Sequence, residues 1–175
     1  MLNYKVVLAI DPSGNFYEGK GTTGFCCLQV NEQKILSTKH ITAKDYRRME
    51  AYWHEHLKII KKYIDKHKDV IVVIEDYLLY ASKANTQVNS KMETPKLIGT
   101  LQHFCWMKGI PLIMQTASQV KNRWTDELLV HKGLISQKNR FYYVAGTDYK
   151  INKHCRDAIR HAMHYANFTR KKKRS

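Results

Sequence analysis

No run of apolar residues in this sequence approaches the ~20 needed to cross a bilayer, and the opening MLNYKVVLAIDPSG carries no signal-peptide cleavage pattern. A cytoplasmic protein that is neither secreted nor membrane-bound is the expectation. Cysteine is sparse and unpatterned. Cys26, Cys27, Cys105 and Cys155 form no C-x-x-C pair, and neighbours in a strand do not easily bridge each other, so buried reduced thiols are expected. No Cys and His occur at structural-zinc spacing, which weighs against a zinc module. Internal repeats and long low-complexity segments are missing as well. Acids are scarce: 15 Asp and Glu face 30 Lys and Arg, leaving a formal charge of +15. Such a surface suits a polyanion, nucleic acid first, although an anionic membrane surface would attract it too.

What remains is 175 residues with 43% hydrophobic content, enough for one packed domain and too short for two comfortable ones. Lys5 to Ile10 is an apolar β-rich run that stops at the turn-forming Asp11-Pro12-Ser13-Gly14. Strands follow from Thr22 to Val30 and from Lys34 to Ile41, joined by the polar Asn31-Glu32-Gln33. From Ala43 to Lys66, Tyr46, Met49, Trp53, Leu57, Ile60 and Ile64 recur at helical intervals and predict one amphipathic helix. Val70 to Ile74 is a β-branched run that reads as a strand covered on both faces and ends in Glu75-Asp76. Pro95 to Lys108 reads as a helix stopped at Gly109, and Ile110 to Met114 as a strand. Ser118 to Trp124 reads as helical. Asp126 to Ile151 is ambiguous, with a short helix at Leu128 to His131 and a strand-like FYYVAG, before a clear final helix from Asn152 to Phe168. The order βββαβαβ followed by helices describes a mixed sheet covered by helices.

Asp11 and Glu75 end two buried strands, and Asp157 lies on the last helix, within reach of the same sheet edge. Like charges buried together are costly unless cations neutralise them. Oxygen ligands favour Mg²⁺ or Mn²⁺, and two such ions ~3.5–4 Å apart serve phosphodiester cleavage. The plainer alternative is that each acid caps a turn or pairs with a lysine. His154 precedes Asp157 by three residues and His161 follows it by four, so one helical face carries all three and offers metal ligands. Zinc held by these histidines is a competing version. Asp76 and Asp148 are reserve acids, with Asp76 expected on the opposite face of the strand from Glu75.

These residues resemble the RuvC family of Holliday junction resolvases, within the RNase H-like nucleases. VVLAIDPS followed by Thr23-Gly24 is similar to the family's first two strands, VIVVIED to the strand bearing its glutamate, and Ser118-Gln119-Val120-Lys121 to its QVK segment. HCRDAIRHAMHYA is similar to its closing helix. The resemblance implies an α/β, RNase H-like mixed five-stranded sheet flanked by helices over residues 1–169, with a basic tail at 170–175. It also implies catalytic and metal-binding roles for Asp11, Glu75, His154 and Asp157 around two Mg²⁺, with Mn²⁺ as a substitute. The implied activity is a homodimer that nicks four-way junctions and other branched DNA, leaving 5′-phosphate and 3′-hydroxyl ends. Lys121 would contact phosphate, and the family's aromatic wedge is displaced: Leu78 takes its position, flanked by Tyr77 and Tyr80. The chain departs from the pattern in NFYEGKG, inserted between Asp11 and Thr23, and in the expanded segment from Asn85 to Glu93. In this it is most similar to phage-encoded members, which act in a bacterial host cell.

Lys83, Lys91, Lys96, Lys121, Arg123, Lys138 and Arg140 flank the expected site and are candidate DNA contacts. The tail RKKKR would extend that contact, act as a nuclear signal, or do neither. A nuclease for RNA or RNA–DNA hybrid, and a non-catalytic module that binds branched DNA, are the alternative functions.

Overall fold

The computed structural model describes residues 4–77 and 91–172, the side chains as far as Phe168. Strands β1 (Val6–Asp11), β2 (Thr22–Gln29) and β3 (Lys34–Thr42) form an antiparallel meander. Strands β4 (Val70–Asp76) and β5 (Leu112–Thr116) continue the sheet parallel to β1, giving the order β3-β2-β1-β4-β5. Helix α1 (Met49–Lys66) joins β3 to β4, and α2 (Glu93–Met107) precedes β5. Two short helices, α3 (Ala117–Lys121) and α4 (Asp126–His131), lead to a small antiparallel sheet of β6 (Ile135–Lys138), β7 (Phe141–Val144) and β8 (Lys150–Ile151). Helix α5 (Lys153–Lys172) closes the chain and takes the first residues of the expected basic tail into its last turn.

Strand alternation divides the core in two. Val7, Ala9, Cys26, Leu28, Ile71 and Val73 pack against α5 with Trp124 and Leu129, whereas Leu8, Ile10, Phe25, Cys27, Val72 and Ile74 pack against α1 and α2. Burial of both faces explains why β1 and β4 read as continuous apolar runs. All four cysteines are free and buried, as their spacing predicted.

Two expectations are corrected. The helix over 43–66 is instead a 3-10 turn at Ala43–Asp45, an extended link, and then α1. Its fully buried residues are Tyr52, His56, Ile59 and Ile60, and the predicted Trp53, Leu57 and Ile64 pack half-buried against the same core, so His56, polar by type, widens the predicted face. The ambiguous segment at 126–151 is α4 and the small sheet, whose strands of two to four residues are too short to show periodicity.

His56 is paired on both nitrogens. Its Nδ1–H donates to the Tyr52 carbonyl at 2.9 Å, and Nε2 accepts from the Thr23 hydroxyl at 2.8 Å. Burial pushes its pKa down to about 4. A depressed histidine must gain a proton sooner in the unfolded chain than in the folded one. Stability is therefore full above pH ~6.5 and falls as pH drops toward about 4, by about 3 kcal/mol at ~1.4 kcal/mol per pH unit. Melting curves of wild type and His56→Gln should differ most at pH 7 and converge near pH 4. Parallel curves would remove His56 as the cause.

Candidate active site

The register of the sheet brings the strand-borne acids together. Ile10 pairs with Ile74 in the parallel β1–β4 ladder, so Asp11 and Glu75 follow side by side, and both side chains point to the face covered by α5. Asp76, by the same alternation, points to the other face.

Helix α5 is seated by a glycine. Gly24 stands opposite Asp11 in the β1–β2 ladder, and a Cβ there would lie 2.2 Å from the carbonyl carbon and oxygen of His154. Only the missing side chain lets the first turn of α5 rest on β2. Asn152 caps that turn by accepting from Cys155 N at 2.8 Å. His154 and Asp157 are thereby delivered to the sheet edge. The His154 Nδ1–H donates to Asp11 Oδ2 at 2.7 Å, with Asp11 7% exposed and Asp157 2% exposed.

Cations surround the carboxylates. The Lys121 ammonium at the end of α3 lies 3.2 Å from both Glu75 Oε1 and Asp157 Oδ2. His161 is fully buried and donates from Nε2 to Glu75 Oε2 at 2.8 Å, while its Nδ1 meets the Gln115 amide at 2.9 Å. The amide oxygen suits an imidazolium there; a flipped amide, presenting its NH₂, suits a neutral ring. Arg160 pairs with Asp157 and reaches Asp126 Oδ1 at 2.6 Å, and Arg156 holds the same Asp126 at 3.0 and 3.2 Å.

The electrostatics follow from these partners. Burial pushes the Asp11 carboxyl up against the pull of its His154 hydrogen bond, and the charges of Glu75 and Asp157 push the same way. Burial would raise Glu75 as well, but His161 and Lys121 outweigh it and hold the carboxyl down. Burial would lower Lys121, yet Asp157, Glu75 and Asp11 together hold it above the usual ammonium range.

The four expected site residues thus converge, but not into a finished cage. Among the described residues, no three His, Cys, Asp or Glu side chains are arranged to hold one metal ion. Here the Lys121 ammonium, expected on phosphate, bridges Glu75 and Asp157. The donor set still fits a hard divalent cation: it is carboxylate-rich, two of its oxygens already share one positive charge, and Lys121 is 36% exposed and able to swing out.

Other expected contacts are more dispersed. Arg123 is exposed, Lys96 is exposed on α2, and the Lys91 ammonium sits 3.7 Å above the Tyr17 ring. Tyr77 is half-buried against the α1–α2 core, and Leu78, Tyr80 and Lys83 lie outside the described residues. The reserve acid Asp148 is an exposed partner of Lys138 at 3.3 Å and takes no part in the site. His161 is buried against Glu75 and Gln115, away from solvent.

The insertion after Asp11 has a clear role. Gly14 N donates to Thr94 Oγ1 at 3.0 Å and Phe16 N to Glu93 Oε2 at 2.7 Å, so the inserted loop docks on the first turn of α2. Tyr52 OH donates to the Ser13 carbonyl at 2.7 Å, fixing the turn beside the site.

No family model and no curated protein matches the sequence. Among solved structures, the sheet order and helix placement are those of the RNase H-like fold, and the likeness extends over nearly the whole chain. The particular neighbours are RuvC of Thermus thermophilus in complex with a Holliday junction substrate and RuvC of the same organism. Each superposes with a TM-score of 0.66 at 15% identity; the coverage is 96% of both chains for the first, and 95% of this chain and 96% of the other for the second. The chain therefore has the RNase H-like fold in the form seen in RuvC.

Proposed function

We propose that the protein is a metal-dependent endonuclease of branched DNA, with the four-way junction as its main substrate. The observation that carries this reading is the meeting of Asp11, Glu75, Asp157 and His154 at one sheet edge in a strongly basic chain of RuvC-like fold. Asp11, Glu75 and Asp157 would hold Mg²⁺ or Mn²⁺, two ions in all. Bound there, the ions would supply an activated water and stabilise the leaving oxygen, with 5′-phosphate and 3′-hydroxyl ends as the expected products. The chain's own contribution is orientation and proton handling. Asp11 fixes the His154 ring through Nδ1, which leaves Nε2 to accept a proton from the attacking water. Lys121, 36% exposed and able to swing away from the carboxylates, would meet the substrate phosphate.

A homodimer suits a substrate with two-fold symmetry. Trp106 at 77% and Met107 at 62% exposure end α2 with an apolar surface, and Ile113 at 39% exposure lies on the edge strand β5. Trp106 is thus outside the core, whereas Phe104 packs inward.

A labelled four-way junction, a fork, a blunt duplex and an RNA–DNA hybrid, each incubated with Mg²⁺ and with Mn²⁺, test the reading. Junction cutting should dominate; preferential hydrolysis of the hybrid would replace it with the ribonuclease alternative. Sizing at assay concentration should show a dimer, and a monomer that still cuts both strands would reject that part.

Competition between Lys121 and metal gives a further expected result. Lys121→Gln should melt below wild type without metal, because the buried Asp157 and the half-buried Glu75 lose their shared cation. Saturating Mg²⁺ should raise its melting temperature more than it raises that of wild type. An equal or smaller rise would mean that the ion does not use this position.

A further inference from the structure

The small sheet has two unlike faces. In the β6–β7 and β7–β8 ladders, Ser136 pairs with Tyr143, Tyr143 with Lys150, and Lys138 with Phe141. These residues share one face, whereas Ile135, Tyr142, Val144 and Ile151 share the other. The second face is anchored: Ile135 and Ile151 are buried in the α5 core, Tyr142 and Val144 pack against it, and the Arg156 guanidinium lies 4.2 Å over the Tyr142 ring. The first face is turned outward, and its two rings carry protein cations. Lys150 Nζ lies 3.3 Å from the Phe141 centroid, with Arg140 at 5.1 Å, and Lys138 Nζ lies 5.4 Å from the Tyr143 centroid. Among the described residues, the carboxylate paired with these cations is the exposed Asp148, on Lys138.

We propose that this outer face of the β6–β7–β8 sheet is a binding platform for a DNA strand with unpaired bases, with Phe141 and Tyr143 stacking on bases and Lys138, Arg140 and Lys150 meeting phosphates. The choice of DNA rests on the nuclease reading above; the single-strand preference rests on the face itself. Aromatic rings interleaved with cations on an open sheet suit single strands, because every base offers a π-face and every linkage a charge. The cations already lie on the rings, so a base takes a ring face while the displaced ammonium turns to the adjoining phosphate, and neither group has to be uncovered from the core. The placement is also right. Lys150 precedes His154 by four residues, a span of at most ~14 Å of extended chain, so a strand on the platform passes close to the carboxylate edge.

The test measures binding in an Asp11→Asn background, in which the substrate survives, using a fluorescent oligothymidine strand and a blunt duplex of equal length over a salt series. Phe141→Leu combined with Tyr143→Leu should weaken single-strand binding at least tenfold and duplex binding less than threefold. Lys138→Gln combined with Lys150→Gln should reduce the single-strand salt slope by about 1.4, at ~0.7 per phosphate contact. Because the anchored inner face is untouched, both variants should melt within a few degrees of their parent, which separates loss of contact from loss of fold. Should a variant melt much lower, Tyr143→Phe and Phe141→Tyr, which keep a ring, must retain parental affinity. No measurable single-strand binding by the parent, unchanged affinity in the ring variant, or equal losses on strand and duplex would each overturn the platform. Junction cleavage by wild type is scored separately: cleavage without single-strand binding rejects the platform and spares the nuclease, and the reverse result does the opposite.

Discussion

Asp11→Asn is expected to lower junction cleavage by about 10³-fold or more while leaving junction affinity within about twofold. Asparagine matches the carboxylate in size, and its side-chain oxygen still accepts the 2.7 Å hydrogen bond from His154, so the first turn of α5 should stay in place. What disappears is one negative charge from the buried group best placed to be shared by cations, and with it an electrostatic contribution worth several kcal/mol in the transition state. Binding is governed by different residues: a chain of net charge +15 loses nothing toward phosphate when an acid is neutralised, and tighter binding is the more natural direction. The measurement is a single-turnover cleavage rate beside an equilibrium binding curve made in Ca²⁺. Asp148→Asn is the matched control, since that acid is exposed, lies outside the carboxylate edge and pairs with the exposed Lys138. If Asp11→Asn cut at more than a tenth of the wild-type rate, the carboxylate edge would not be the active site.

Much of this site was legible in the sequence because buried strands advertise themselves. VVLAID and VIVVIED are unbroken apolar runs that end in acids, and a parallel pair of such strands has to place Asp11 and Glu75 together. The last helix was equally plain, and its spacing put His154, Asp157 and His161 on one face. The partners of those acids were not legible. Gln115 is an unremarkable residue on an edge strand until the register sets it beside Glu75, and Arg160 and Asp126 meet across 34 residues of chain. Lys121 was assigned to DNA from its motif, whereas its distance to two carboxylates depends on how α3 turns after β5. The small sheet was illegible for a different reason: two-to-four-residue strands carry at most two alternations, and their outward face includes the aromatic Phe141 and Tyr143 where a solvent face is expected to be polar.

Gly24 was noted in the sequence only as part of a Thr-Gly pair, and its physical role sets the second large effect. Gly24→Ala should lower the melting temperature by about 6–12 °C and the cleavage rate per folded molecule by about 10²-fold. The added methyl would stand 2.2 Å from the His154 carbonyl, and this neighbour is backbone rather than a side chain able to turn aside. Overpacking of that kind costs about 3 kcal/mol, the upper part of its usual range, because either β2 or the start of α5 must shift. Relief by moving α5 is the more damaging course for function. It separates His154 from Asp11 and carries Asp157 away from Lys121, so that catalysis falls further than stability alone explains. Gly99→Ala provides the contrast: its Cβ would enter open space on the exposed side of α2, and the helix should gain up to about 1 kcal/mol with cleavage unchanged. Thermal melts give the first quantity, and cleavage rates corrected for the folded fraction give the second. Loss of activity in proportion to unfolding alone would show that Gly24 matters for packing but not for holding α5 against the site.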